Sequence, residues 1–333
     1  MYTRRKLRLG LILRFSWPHL LGFAAWSGLI TLGYVLGLDV RLPFLPLSTM
    51  GIAVSFYLGF KNNQSYERFW EARKIWGGIV NTSRLLGSQV CIYVASQSEA
   101  IILTQANLHA LHQEFIYRHL AWLNLLRLQL RRSTPYSRTN ASYKPRLPEL
   151  SASAQAAEIA LFLAAAEYSA VSRTANPAAQ LLHQQSIAIK EAESRGLLSG
   201  FQYVDLIQTI KECYSLQGMC ERIKNTPFPR QYAYFSTLFV WIFATLIPFG
   251  LLSEFGQFRF GGAVWLTVPF STLVAWVFIT IDFVGDNSED PFEHNLNDVP
   301  MTAICRTIEI DLREMLGETA LPASMQPVND ILL

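Results

Sequence analysis

Charge is scarce in this sequence. Charged residues fill 16% of its 333 positions, while 51% are hydrophobic and 13% aromatic; an ordinary soluble domain carries about 25% charge. That balance excludes a wholly soluble globule and describes a membrane protein diluted by a soluble part. Cysteine is also sparse. Cys91, Cys213, Cys220 and Cys305 stand apart with no Cys-x-x-Cys spacing, which argues against a zinc site or a disulfide framework and for free thiols in a reducing compartment. A net charge of +3 is too mild to imply a nucleic-acid partner. No Ser-His-Asp, Cys-His, phosphate-loop or dinucleotide motif is present, so the chain is not read as an enzyme.

What is present is a set of apolar segments. Residues 18–38 hold no charge-capable side chain except His19 and are long enough to cross a hydrocarbon layer of about 30 Å. Arg4, Arg5, Lys6, Arg8 and Arg14 precede them in a manner that could suggest a signal peptide. However, Pro18 and His19 interrupt the apolar region and no small-residue cleavage site follows, so the segment is read as a retained helix. Residues 1–17 form a basic amphipathic lead suited to the membrane interface. A second segment, 47–60, covers only about 21 Å as a helix and is explained if protein surrounds its end. Residues 231–252 and 263–281 are the third and fourth spans.

The chain therefore divides into residues 1–62, with the lead and two transmembrane helices; 63–230, a soluble helical domain; 231–285, two further transmembrane helices; and 286–333, an acidic loop, a helix and a tail. Within the soluble part, apolar positions at helical spacing predict long helices over 78–131, a loop over 132–151, and helices over 154–172 and 178–194. Basic residues cluster before the first span, after the second and before the third. The positive-inside rule then places both termini and the soluble domain in the cytoplasm.

The stretch 50–77 organises the rest. Ile52, Phe56 and Phe60 recur at i, i+4 and i+8 and form one row. Two readings fit it: a packing face inside a membrane core, or the lining of a narrow passage shared between copies of the chain. Lys61, Asn62 and Asn63 end the apolar character, and on the second reading Asn62 and Asn63 stand at the wet mouth of that passage. The run Tyr66, Arg68, Phe69, Trp70, Glu71, Arg73 and Trp76 reads as a structural knot of aromatics and ion pairs, with Arg68 and Arg73 paired to acids.

Two polar clusters carry alternatives. Asp282, Asp286, Glu289, Asp290, Glu293 and Asp298 gather within 282–298 but lack the spacing of an EF-hand. Asn297-Asp298 before Pro300 suits a helix cap, and a weak cation site at Asp290 and Asp298 is the competing use. His109 and His112, with Glu114 and His119 nearby, could hold a metal, although a solvated helix face accounts for them as well.

The runs FKNNQSYERFWEARKIWGGIVNTSR, CERIKNTPFPRQYAY and EDPFEHNLNDVPMTAICRTIEIDLREML resemble the three signatures of the bestrophin family in its compact prokaryotic form. The resemblance covers nearly the whole chain and is weakest over 90–200. It implies an all-α membrane protein with four transmembrane helices per subunit and a helical cytosolic domain, assembled as a homopentamer around one axial pore in the plasma or inner membrane. By alignment of the S-F-x-L-G-F core, the pore neck falls on Ile52, Phe56 and Phe60. A second, cytosolic constriction falls near Pro229 and Arg230. The family includes anion channels and cation-selective bacterial members, and phenylalanine at position 56 resembles the anion-conducting necks. The expectation is passive conduction of chloride, with bicarbonate as a further anion. A cation channel and a non-conducting membrane scaffold are the alternatives. No cofactor is implied. Calcium activation is disfavoured, because the clasp position reads Asn295-Leu296-Asn297-Asp298, with a single carboxylate. The partners implied are further copies of the chain, the lipid bilayer and permeant inorganic ions.

Overall fold

The computed structural model describes residues 1–4, 9–97, 104–132, 134, 151–258, 262–293 and 297–333. Among these there is no strand, only two isolated bridges: Tyr2–Ile331, which brings the two ends of the chain together, and Val328–Ile331 within the tail. The helices are α1 (Leu9–Val35), α2 (Phe44–Tyr93), α3 (Gln105–Arg131), α4 (Ala152–Ile159), α5 (Ala165–Ser172), α6 (Pro177–Ser194), α7 (Gly200–Asn225), α8 (Arg230–Phe255), α9 (Thr267–Ser288) and α10 (Met301–Met315).

They build two layers, and α2 belongs to both. In the apolar layer, Leu47, Val54 and Leu58 of α2 pack with Val240, Phe243 and Ile247 of α8, while Phe23 of α1 meets Ala244 and Ala275. In the second layer, Ala72, Ile75, Trp76, Ile79, Leu86 and Val90 of the same helix enter a larger core with α3, α6, α7 and α10. At 1.5 Å per residue, 50 helical residues extend about 75 Å, well over twice the bilayer core. The polar stretch Lys61–Asn63, where the apolar character ends, is uninterrupted helix. Its backbone is satisfied internally, and nothing in its sequence breaks a helix.

Among the described residues, three helical segments are long and apolar enough to cross a membrane: Phe44–Tyr93, Arg230–Phe255 and Ala263–Ser288. Helix α1 falls outside that set, yet its 27 residues pack against α8 and α9. There the Ser27 and Ser271 hydroxyls lie 2.5 Å apart and the Trp26 indole donates to the Thr245 carbonyl at 3.0 Å. It begins at Leu9 and runs through Pro18, so the part of the lead from Leu9 onward is one helix with the first span. Of the lead's basic residues, Arg5, Lys6 and Arg8 lie outside the described residues, as do Ile101 and most of the loop expected over 132–151.

Other boundaries differ in instructive ways. The fourth span continues to Ser288, so Asp286 is helical rather than the start of an acidic loop, and Asp282 lies within the same helix. The helix expected over 154–172 is interrupted between Ile159 and Ala165. Helix α6 starts where Asn176-Pro177 predicts, with the Asn176 side chain accepting from the Ala179 amide. Helix α10 starts at Met301 with no side-chain cap, so Asp298 does not cap it. It closes at Gly317, the kind of residue that ends a helix in sequence: Gly317 has φ of 78°, and the Glu318 and Gly317 amides return to Arg313 and Glu314 carbonyls at 3.0 and 2.9 Å.

Candidate functional site

Helix α2 turns two unlike faces outward and inward. Leu47, Gly51, Val54, Leu58, Lys61 and Ser65 are buried against α8 and α9. A Cβ on Gly51 would stand 2.7 Å from the Phe243 ring, a closeness only glycine permits. On the other side Ile52, Phe56 and Phe60 are 72%, 69% and 48% exposed. Three bulky apolar side chains in a row are thus not the subunit's packing face. They form an apolar stripe that the subunit leaves open, a face that lipid, another copy of the chain or a pore can meet.

The stripe changes character below Phe60. At 100° per residue, Asn63 and Glu67 continue the row, and both are exposed, with the Asn63 amide donating to Glu67 Oε1 at 3.1 Å. Asn62 does not share that face. Its amide donates to the Ile281 carbonyl at 3.2 Å, and its side chain fills the space where Gly285 of α9 has no Cβ. The two asparagines paired in the sequence expectation are therefore separated by the helix period.

An open groove of about 620 Å³ adjoins this lower face. Phe60, Gln64, Glu67, Arg68 and Glu71 of α2 line one side, and Thr226, Pro227, Phe228, Pro229 and Tyr232 the other. Tyr232 is also stacked on Tyr57, with centroids 4.6 Å apart. The lowest residue of the apolar row and Pro229 thus border one groove. Arg230 is not among its lining residues; its guanidinium lies 3.6 Å from the buried Glu289 carboxylate. Arg68 borders the groove but donates to the Glu289 and Ile223 carbonyls at 2.8 and 2.5 Å. It binds backbone rather than the acids expected for it. Glu71 is paired with Arg222 at 2.5 Å.

Sequence reasoning missed the polar centre of the apolar layer. Lys61 is completely buried, with Nζ 2.7 Å from Asp282 Oδ1 and 2.6 Å from Asp286 Oδ1. The Thr237 hydroxyl of α8 donates to the second Asp282 oxygen at 3.0 Å. A signal existed: carboxylates four residues apart at the end of an apolar helix share one face and require a cation at membrane depth.

The possible cation site is placed less favourably. Asp290 and Asp298 flank residues 294–296, which include His294 and two residues of the clasp position and lie outside the described residues. Burial and the Glu293 carboxylate push the Asp290 carboxyl above its ordinary value, against the pull of Arg68, Lys224 and Arg230. Such a group holds its proton more readily than an ordinary aspartate. Among the described residues, no group of three or more His, Cys, Asp or Glu side chains gathers as a metal would need.

The histidines also separate. His109 and His112 approach the Leu316 and Val94 carbonyls at 3.1 and 2.7 Å, and buried His119 meets the Ser83 hydroxyl at 2.9 Å. His112 and His119 tie α3 to α2 and its C-terminal end, and His109 ties it to the end of α10.

The sequence profile of the family described as "Bacterial/Fungal Bestrophin protein" matches residues 6–314. The chain is 28% identical over 290 residues to the voltage-dependent anion channel-forming protein YneE of Escherichia coli, covering 87% of this chain and 82% of that one. It is 30% identical over 312 residues to a voltage-dependent anion channel-forming protein of Mesorhizobium japonicum, covering 93% and 87%. Among solved structures it resembles a bacterial bestrophin homologue from Klebsiella pneumoniae, with a TM-score of 0.72 and 27% identity over 90% of this chain and 98% of that one.

Proposed function

The chain belongs to the bacterial and fungal bestrophin family, and from that premise we propose that it is a membrane channel for small monovalent anions, chloride foremost and bicarbonate with it. In this reading, subunits with four spanning helices assemble as a homopentamer in the plasma or inner membrane, with α1 as the first span and both termini in the cytoplasm. The α2 helices surround the axis. The observation that carries the proposal is the exposed apolar row Ile52, Phe56 and Phe60, on a helix whose opposite face is the subunit's packing face.

Rings of these side chains make a hydrophobic neck. It offers no hydrogen bonds to replace an ion's hydration, so ions pass only while it is wide enough to stay wet. Aromatic edges carry partial positive charge and suit a partly dehydrated anion. Below the neck, Asn63 marks the exit where ions regain water, while Asn62 is committed to α9. The groove edge at Pro229 supports a second constriction on the cytosolic side, near Arg230. The chemistry is passive transport, with no catalytic step and no cofactor.

One observation favours a second reading. Glu67 and Glu71 line the groove directly below Phe60, and rings of carboxylates favour cations. Reversal potentials of the purified protein in planar bilayers under a salt gradient decide between the two. A potential near the chloride equilibrium value supports the proposal, and one near the cation value overturns it. Loaded liposomes that lose no ions through either wild type or Phe56→Ala would leave a non-conducting scaffold.

A further inference from the structure

We propose that Lys61 is a positioning residue for the neck: its buried ammonium, held by Asp282 and Asp286, sets the rotation of α2 about its own axis. The proposal rests on the channel reading for its consequence, though not for its geometry. A helix presents Ile52, Phe56 and Phe60 to one side only while its rotation is held, and each residue advances that rotation by about 100°. Apolar contacts of α2, such as those of Val54 and Leu58 with α8, are non-directional and tolerate repacking. The contact at Lys61 is of another kind.

Lys61 follows Phe60 directly and lies well round the helix from the exposed row. Its Nζ is within 2.7 Å of two carboxylates that stand one turn apart on α9. Asp282 is fixed in its turn by the Thr237 hydroxyl of α8 at 3.0 Å. One ammonium thus joins α2 to α9 and, through Asp282, to α8. The ammonium is completely buried, so turning α2 away from α9 would strand a buried charge. The adjacent Asn62 makes the same choice of partner, with its amide on the Ile281 carbonyl and its side chain seated over Gly285. These links lie immediately below the neck, where a small rotation would carry the Phe60 ring out of the row.

A merely structural role for Lys61 would be served by any side chain that fills its place. A positioning role is not, and the two separate in a charge-free cluster. The variant Lys61→Met/Asp282→Asn/Asp286→Asn removes all three charges together and so strands none. Lys61→Arg and Asp286→Asn are made beside it, each in the full-length chain and each also combined with Phe56→Cys. Two readouts apply: labelling of the introduced thiol by a water-soluble thiosulfonate, in excess of the chain's own four cysteines, and single-channel conductance with its anion-to-cation permeability ratio.

The expected result is near wild-type behaviour for Lys61→Arg, a partial change for Asp286→Asn, and a several-fold change in both labelling rate and conductance for the charge-free variant. Labelling equal to that of Phe56→Cys alone, with wild-type conductance, in the charge-free variant overturns the proposal; if that chain does not accumulate, the same result in Asp286→Asn does so. Labelling that follows the Lys61 cluster in a chain that conducts nothing supports the positioning role and removes the channel reading instead.

Discussion

The rings of Phe56 and Phe60 meet edge to face, with centroids 4.6 Å apart and planes at 90°. Two adjacent levels of the proposed neck are therefore coupled within each subunit, because the positive edge of one ring rests on the negative face of the other. A change at either position reaches both levels.

Phe56→Ala is expected to raise single-channel conductance several-fold, and more than Ile52→Ala, since it removes one ring and frees the next. Phe56 is 69% exposed within the subunit, so subunit stability should fall by no more than about 1 kcal/mol. Bilayer recordings paired with thermal melting in detergent check both parts. Unchanged currents in Ile52→Ala, Phe56→Ala and Phe60→Ala would remove these residues from the conduction path.

Glu67 continues the same face and is exposed beside the groove. Neutralising it in Glu67→Gln should move the reversal potential under a salt gradient toward the chloride equilibrium value, and Glu67→Lys should move it further. The effect should shrink at high ionic strength, because exposed charges are screened over about 10 Å at 0.1 M salt. Identical potentials in all three proteins would mean that Glu67 stands away from the path.

The close approach of α2 to α9 rests on Gly285, whose missing side chain is replaced by Asn62. Gly285→Ala overfills that contact and should destabilise the protein by about 1–3 kcal/mol, read as a lower melting temperature and less assembled protein. Adding Asn62→Ala should recover part of the loss, at the expense of the hydrogen bond to Ile281. Full wild-type stability in the single variant would show that the helices are not in contact there.

Burial lowers the His119 pKa from 6.5 to about 3, so the folded protein holds this ring neutral while an unfolded chain would protonate it below about 6.5. Its contribution to stability is fully present above that value and is lost as the pH falls toward about 3, at up to about 1.4 kcal/mol per pH unit. Melting temperatures between about pH 7 and pH 4 should therefore fall less steeply for His119→Gln than for wild type. Parallel curves would show that the ring is not buried neutral.

Much of this architecture was legible in the sequence, and the reason differs from element to element. Helix α6 could be placed because Asn176-Pro177 is a local start signal. The close of α10 could be placed because Gly317 supplies the left-handed residue its last turn needs. The row Ile52, Phe56 and Phe60 was legible because helical spacing is a property of the chain itself. What that spacing could not reveal is which way the row faces. The same positions suit a packing stripe or an open one, and exposures of 72%, 69% and 48% arise from α8 and α9 occupying the other side of α2.

The missed residues share one physical cause. Lys61 sits 221 positions from Asp282, and in the sequence each looked like the end of its own apolar segment. In the sequence Asp282 and Asp286 run on into the acidic residues that follow them, although the helix continues through both. A buried ion pair across that separation becomes visible only when the helices are packed, since its partners carry no mutual spacing rule. Asn62 and Asn63 diverge for a related reason: neighbours in sequence are about 100° apart on a helix, and only tertiary contacts decide which one meets α9.

By itself, then, the sequence determined an all-helical membrane chain, its family and the candidate row on α2, because composition, periodicity and linear motifs are written along the chain. The tertiary structure decided that α2 is one helix through both layers, that Phe60 and Pro229 border one groove, and that Lys61 is the buried tether between α2 and α9. Those are relations between distant segments, fixed by which faces exclude lipid and water together.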